Sequence, residues 1–309
     1  MKNIEKETMK KSILKTILFF DIFNYPLTDL EIFRYLNLKC DYGEMREELK
    51  MIPQIENKNS MYFLKGRSEI YKTRMSRYNY TDRKFRRALF VSKIFRFIPW
   101  IKMIAIVNLI GSENLKDESD IDFFIITEKN RIWLTRLFSV LIIKILNLRP
   151  KENDNRDKIC LSFFISEEDL DLKKFMLKNN FKREDYYFIF WLSGLFPIYD
   201  SDNMYKKLIE KNNWIFDFLP NWELIDPVPK RKIEKITSFF YRDFMDMFLG
   251  GLESFFQKKQ LKIMPDSLAK ILNQDTRVVA NHQVIKLHFN DRRQVYNDLF
   301  QKKIQNLIN

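Results

Sequence analysis

Ser119-Asp120-Ile121-Asp122-Phe123-Phe124-Ile125-Ile126-Thr127 sets two carboxylates at the mouth of an uninterrupted apolar run. Side chains alternate faces along a strand, so Asp120 and Asp122 project to one side, roughly 7 Å apart. Phe123 to Ile126 read as a strand buried on both faces, typical of a sheet covered by helices. A like-charged pair beside such a strand is costly without a counter-ion, and a hard divalent cation is the natural one. Mg²⁺, or Mn²⁺ in its place, takes carboxylate oxygens, keeps waters and fills its remaining positions with substrate phosphates. The plainer alternative is an Asp pair capping a turn at the solvent end of a strand.

The run Asp120-Ile121-Asp122-Phe123-Phe124-Ile125-Ile126 resembles the metal-binding signature of the DNA polymerase β-like nucleotidyltransferase superfamily. In that superfamily a strand ends in a Gly-Ser turn, and the hydrophobic-Asp-hydrophobic-Asp-hydrophobic pattern follows. Here Lys102 to Leu109 supplies the strand, Gly111-Ser112 the turn, and Ser119 leads into the Asp pair. Only seven residues separate Ser112 from Asp120, and at the usual spacing Asn108-Leu109 would occupy the Gly-Ser position. The resemblance implies metal binding by Asp120 and Asp122, with Gly111, Ser112, Ser119 and Asn108 as candidate nucleotide contacts. Arg131 and Arg136 flank Trp133 in the next helix and are candidate triphosphate clamps, or simply exposed arginines.

The resemblance extends to a group of bacterial and archaeal nucleotidyltransferase-like proteins. It rests on Phe20-Asp21-Ile22-Phe23-Asn24-Tyr25-Pro26-Leu27-Thr28, Arg131-Ile132-Trp133-Leu134-Thr135-Arg136, Ile159-Cys160-Leu161-Ser162-Phe163-Phe164, and Asn213-Trp214-Ile215 with Leu219-Pro220-Asn221. It implies an NTP substrate, a divalent cation, and transfer of NMP to an acceptor hydroxyl on an RNA end, a protein or a small molecule. Superfamily members add a third carboxylate from a later strand. The matching strand here, Ile159 to Ile165, has none; Ser162 is the polar residue in its middle. Glu167, Glu168, Asp169 and Asp171 follow it and are candidate substitutes, or a solvated turn. The alternative reading is a degenerate, non-catalytic binding module on the same fold.

At 309 residues and 46% apolar composition the chain supports two or three packed units of mixed α/β class. Phe at 29 and Tyr at 13 against only 6 Gly argue for packed units rather than flexible tethers. Cys40 and Cys160 form no C-x-x-C pattern and read as reduced core thiols. No signal peptide or 20-residue apolar span is evident, which points to the cytoplasm and to no membrane partner.

Residues 1–66 read as a winged helix. Ser12 N-caps a helix to Phe23, Thr28 and Glu31 form a capping box, Asp41 to Met51 is a third helix, and Asn57-Lys58-Asn59-Ser60 tips a hairpin. The third helix is more acidic than basic, which argues against DNA reading by it. Residues 67–101 form a basic linker helix. From Lys65 to Lys102, eleven cations (Lys65, Arg67, Lys72, Arg74, Arg77, Arg83, Lys84, Arg86, Arg87, Lys93, Arg96) face only Glu69 and Asp82. With a net charge of +13, this tract makes RNA or another polyanion the candidate macromolecular partner.

Residues 102–175 form the expected nucleotidyltransferase core: strand, short helix, strand (Ile121 to Thr127), helix (Ile132 to Leu146), strand (Ile159 to Ile165), with Lys151 to Lys158 a mobile loop. Residues 176–309 read as mainly helical. Tyr186 to Leu195 is ended by Pro197, Arg231 to Lys262 is interrupted at Gly250-Gly251, and a terminal hairpin (Val278 to Ala280, Val284 to Leu287) precedes a helix capped by Asp291. His282 and His288 are read as structural.

Overall fold

The computed structural model describes residues 2–108, 114–177, 184–235 and 239–307. The chain is mixed α/β, with one three-stranded and one six-stranded sheet. It opens with α1 (Lys2–Asp21), β1 (Leu27–Thr28), α2 (Asp29–Tyr35), α3 (Tyr42–Lys50) and the hairpin β2 (Ile55–Lys58) and β3 (Met61–Leu64). The helix expected to begin at Ser12 starts ten residues earlier. The Lys- and Glu-rich segment before Ser12 is made of good helix formers, so helix propagates backward through it. Ser12 is therefore mid-helix, and its hydroxyl donates to Asn37 Oδ1 at 2.6 Å. The Thr28–Glu31 capping box forms as expected, and Asp41 caps α3 through Gly43 and Glu44. Asn59 and Ser60 both take positive φ, 51° and 60°, which matches a tight hairpin turn to the strand twist.

Helix α4 (Glu69–Phe95) spans 27 residues, about 40 Å at 1.5 Å per residue. Half of its eight basic residues are engaged inside the protein. Arg74 is buried and grips both carboxylate oxygens of Glu31 at 2.7 and 3.0 Å, and Arg77 donates to the Phe23 carbonyl at 2.8 Å. Arg67 pairs with Asp21 and Glu69, and Arg83 with Asp117 and Asp157. Lys84, fully buried, pairs with Asp157 at 2.9 Å. The expected polyanion track thus shrinks to exposed residues such as Lys65, Lys72, Arg87 and Lys93. The loop from 151 to 158 is not free either, because Asp157 is anchored by Arg83 and Lys84.

The larger sheet begins with β4 (Ile101–Ile106) and β5 (Ile121–Thr127), followed by α5 (Ile132–Ile145) and β6 (Ile159–Ser166). Between β4 and β5, residues 114–120 carry a turn and no helix; Gly111 and Ser112 lie outside the described residues. After α6 (Tyr186–Ser193) comes β7 (Phe196–Asp200), where the sequence suggested only a helix end at Pro197. β7 is an edge strand, the place in a sheet that tolerates proline. Then follow α7 (Met204–Lys211), α8 (Ile215–Phe218), α9 (Phe239–Leu249), α10 (Glu253–Lys262), α11 (Asp266–Ala269), β8 (Val278–Ala280), β9 (Val284–Leu287) and α12 (Arg293–Leu307). A 3₁₀ turn at Gly250–Leu252 separates α9 from α10, as the glycine pair suggested. The terminal hairpin is no appendage: the strand order is β7-β4-β5-β6-β9-β8, with β5 and β6 parallel and the other neighbours antiparallel. The sheet therefore draws three strands from residues beyond 175.

Alternation along β5 divides the core. Phe124 and Ile126 join Met103, Phe163, the inner faces of α1 and α6, and Phe300 of α12. Phe123 and Ile125 join Ile104, Ile106 and the apolar residues of α4 and α5 on the opposite face. Among the described residues no helix is long and apolar enough to cross a membrane.

Candidate metal and ligand site

Asp120 immediately precedes β5 and Asp122 is its second residue, on the face shared by Phe124 and Ile126. Because β5 and β6 run parallel in register, Asp122 lies beside Cys160. One ligand atom each from Asp120, Asp122 and Cys160 lie within 4.8 Å of one another. A register irregularity in β6 follows directly, between the pairs at Asp122 and Phe124. Within that bulge Ser162 meets His288, Oγ to Nε2 at 3.1 Å.

Asn108 ends the β4 segment in the left-handed region at φ 61°, a conformation asparagine tolerates. Its amide Nδ2 donates to Asp122 Oδ2 at 2.7 Å, and its Oδ1 accepts from the Tyr187 hydroxyl at 3.4 Å. The strand backbone is fixed alongside, with Val107 N donating to the Asp122 carbonyl at 3.0 Å. Burial, reinforced by the Asp120 charge, pushes the Asp122 carboxyl up to about 6. Burial also raises Asp120, offset in part by the Lys84 charge, and raises the Cys160 thiol well above its ordinary value, helped by Asp122 and Asp120. Lys84 is no direct counter-ion: its ammonium is held by Asp157 and by the Ser119 carbonyl. That second bond fixes the backbone just before Asp120. The Ser119 hydroxyl turns to the Lys116 carbonyl at 3.0 Å, within its own turn.

Beside this cluster lies a cavity of about 180 Å³ whose walls include Asn108, Phe163, Tyr187, Trp191, Lys286 and His288. Tyr187 stacks on Tyr296 at 5.2 Å between centroids, and Trp191 stacks on Phe163 at 5.7 Å. Burial lowers His288 to about 3, so its imidazole is neutral at pH 7, and its Nδ1 has no hydrogen-bond partner. Burial likewise lowers Lys286 to about 7. Asn108 both lines this cavity and holds the Asp122 carboxylate, so it is the residue the two share.

The other expected site residues go elsewhere. Arg131 follows the far end of β5 and pairs with Asp246 of α9 at 2.8 Å. Arg136, on α5 against the opposite face of the sheet, donates to Gln260 of α10 at 2.6 Å; burial lowers it to about 10. Neither reaches the Asp pair. Glu167 to Asp171 also fail as a third carboxylate, because β6 separates them from Cys160 by about 20 Å. Glu167 instead accepts from Lys129 N at 3.3 Å, and Asp169 pairs with Lys174. Cys160, read from sequence as a core thiol, and Tyr187, Lys286 and His288 are the residues the sequence reading left out of the site. Aligning Ile121-Asp122 with Ile159-Cys160 as parallel neighbours is the signal that would have found Cys160. Comparison with protein-family models, with curated proteins and with solved structures returns no match to this chain.

Proposed function

We propose that the chain is a metal-dependent nucleotidyltransferase that moves an NMP unit from an NTP to an acceptor hydroxyl. The observation that carries this reading is the Asp120–Asp122 pair, half-buried at a sheet end, raised by burial and, among the described residues, without a salt bridge to a cation. Such a donor set fits a divalent cation, and Asp120 and Asp122 are the residues that would hold it. A cation bound there supplies charge neutralisation for the phosphates in the reaction. The chain's own residues do the positioning. Asn108 fixes the Asp122 carboxylate through Nδ2, Lys84 holds the Ser119 carbonyl, and the aromatic walls of the cavity offer flat faces suited to a nucleotide base.

In the reaction the acceptor hydroxyl loses its proton to solvent as its oxygen bonds to the α-phosphorus, the bond to the bridging oxygen breaks, and pyrophosphate leaves. The first three helices and three strands, in the order α1-β1-α2-α3-β2-β3, support a winged helix whose third helix is acidic, and hence a packing or protein-contact module. RNA remains an acceptor class to test through the exposed cations of α4. A second reading, a binding module without turnover, is favoured by one observation: a thiol stands beside the Asp pair where a third carboxylate is expected.

The test is incubation of wild type and Asp122→Asn with each α-labelled NTP, Mg²⁺ or Mn²⁺, and total cellular RNA plus protein extract. Label transferred by the wild type alone supports the transferase and identifies the acceptor class by mobility. Metal-dependent nucleotide binding with no transfer supports the binding module instead.

A further inference from the structure

The donor set beside β5 is not an all-oxygen one. We infer that Asp120, Asp122 and Cys160 together form a mixed carboxylate–thiolate site that selects a borderline divalent cation of the Zn²⁺ and Co²⁺ type over Mg²⁺. This deepens the reading above, since it rests on the Asp pair being a metal site, and it changes which metal the site takes.

The geometry follows from strand register. Parallel pairing sets Cys160 beside Asp122, and the three donor atoms already lie within 4.8 Å of one another. Donors about 2.0–2.3 Å from a tetrahedral ion sit about 3.4–3.7 Å apart, so closing onto the ion requires a movement of about 1 Å or less from each side chain. Three protein donors with one position left for water or substrate is the pattern of reactive rather than purely structural zinc-type sites. Asn108, bonded to Asp122, and Tyr187, bonded to Asn108, supply the outer hydrogen bonds that orient such ligands. Mg²⁺ demands near-octahedral oxygen coordination, and a thiol is a poor donor to it; softer sulfur ligands shift selectivity toward zinc-group and late transition metals. On binding, Cys160 releases its thiol proton to solvent, and the resulting thiolate with two carboxylates outweighs the dication's charge by one.

The test is titration of chelator-treated full-length protein with Co²⁺, followed by absorption spectroscopy, for wild type, Cys160→Ser and Cys160→Asp. Wild type is expected to develop a near-ultraviolet sulfur-to-cobalt charge-transfer band that Zn²⁺ abolishes and a thousandfold excess of Mg²⁺ does not. Cys160→Ser is expected to lose the band and to weaken Co²⁺ binding by at least about the 10–100-fold seen for outer-partner losses. Cys160→Asp, which restores a third carboxylate, is expected to lose the band and gain Mg²⁺ binding. Co²⁺ binding without a charge-transfer band, displacement by equimolar Mg²⁺, or no Co²⁺ binding at all would each overturn the inference. The two proposals fail separately. A Co²⁺ band without NMP transfer under any metal removes the transferase and leaves this site standing. Mg²⁺-supported transfer by a wild type that shows no band does the reverse.

Discussion

Asp122→Asn should make the metal-free protein more stable at neutral pH while abolishing its metal response. Burial lifts the Asp122 carboxyl from the ordinary 3.8 to about 6. A carboxylate raised in the folded state binds its proton more tightly there than in the unfolded chain, so stability falls as pH rises. The loss begins near the unfolded value of about 4, grows until the folded value is passed, and is complete above it. At 1.36 kcal/mol per pH unit, the shift from 3.8 to about 6 corresponds to about 3 kcal/mol at pH 7.5. Asparagine keeps the shape and can still accept from Asn108 Nδ2, but never ionises. The variant should therefore melt on the order of 6 °C above wild type at pH 7.5 with chelator, at about 2 °C per kcal/mol for a chain this size. The difference should vanish toward pH 4.

Adding a divalent cation at a thousandfold excess over Kd should reverse the order, since it stabilises the binding-competent protein by about 4.1 kcal/mol against the deficit of about 3 kcal/mol. Differential scanning calorimetry across pH 4 to 8, with and without metal, reads all of these outcomes. A variant melting at or below wild type at pH 7.5 in chelator, or an increment unchanged by pH, refutes the account of Asp122 as an uncompensated buried acid.

Arg74→Leu strands the Glu31 carboxylate, which keeps only the Tyr25 hydroxyl and the Thr28 contacts, so urea unfolding should show a loss of about 3–5 kcal/mol. The double variant Arg74→Leu/Glu31→Leu should recover most of it; no recovery would show that Arg74 acts by packing rather than charge. Lys84→Met leaves the Ser119 carbonyl without its ammonium donor and Asp157 with Arg83 alone, a cost of about 2–4 kcal/mol seen as a lower urea midpoint at unchanged slope. Arg136→Met replaces a buried cation whose side-chain partner is Gln260, and should leave stability within about 1 kcal/mol of wild type. Nucleotide binding by Arg131→Ala and Arg136→Met, measured by calorimetry, should match wild type, because both arginines face α9 and α10; a tenfold loss would place them at the ligand after all.

Much of the architecture is written in short stretches. The capping box at Thr28 and Glu31, the Asn59-Ser60 turn, β5 between Ile121 and Thr127, and the hairpin at Val278 to Leu287 each depend on residues a few positions apart. Local hydrogen bonding and side-chain periodicity suffice to specify them. β7 was illegible because Phe196-Pro-Ile-Tyr-Asp is too short for periodicity to separate strand from helix end, and only its pairing with β4 settles the matter.

The Asp120–Asp122 pair itself is a property of the sequence, since period-two alternation on a strand fixes it wherever the strand is placed. What surrounds the pair is not. Arg74, Arg83 and Lys84 of the positive tract became internal clamps because Glu31, Asp117 and Asp157, tens of residues away, come to lie against α4. Cys160 became a neighbour of Asp122 only when β6 paired parallel to β5, and Arg131 and Arg136 left the site because α5 packs on the other face of the sheet. Charge and alternation are local, whereas partners are chosen by register and by which face of the sheet each helix covers, and those exist only once the chain has folded.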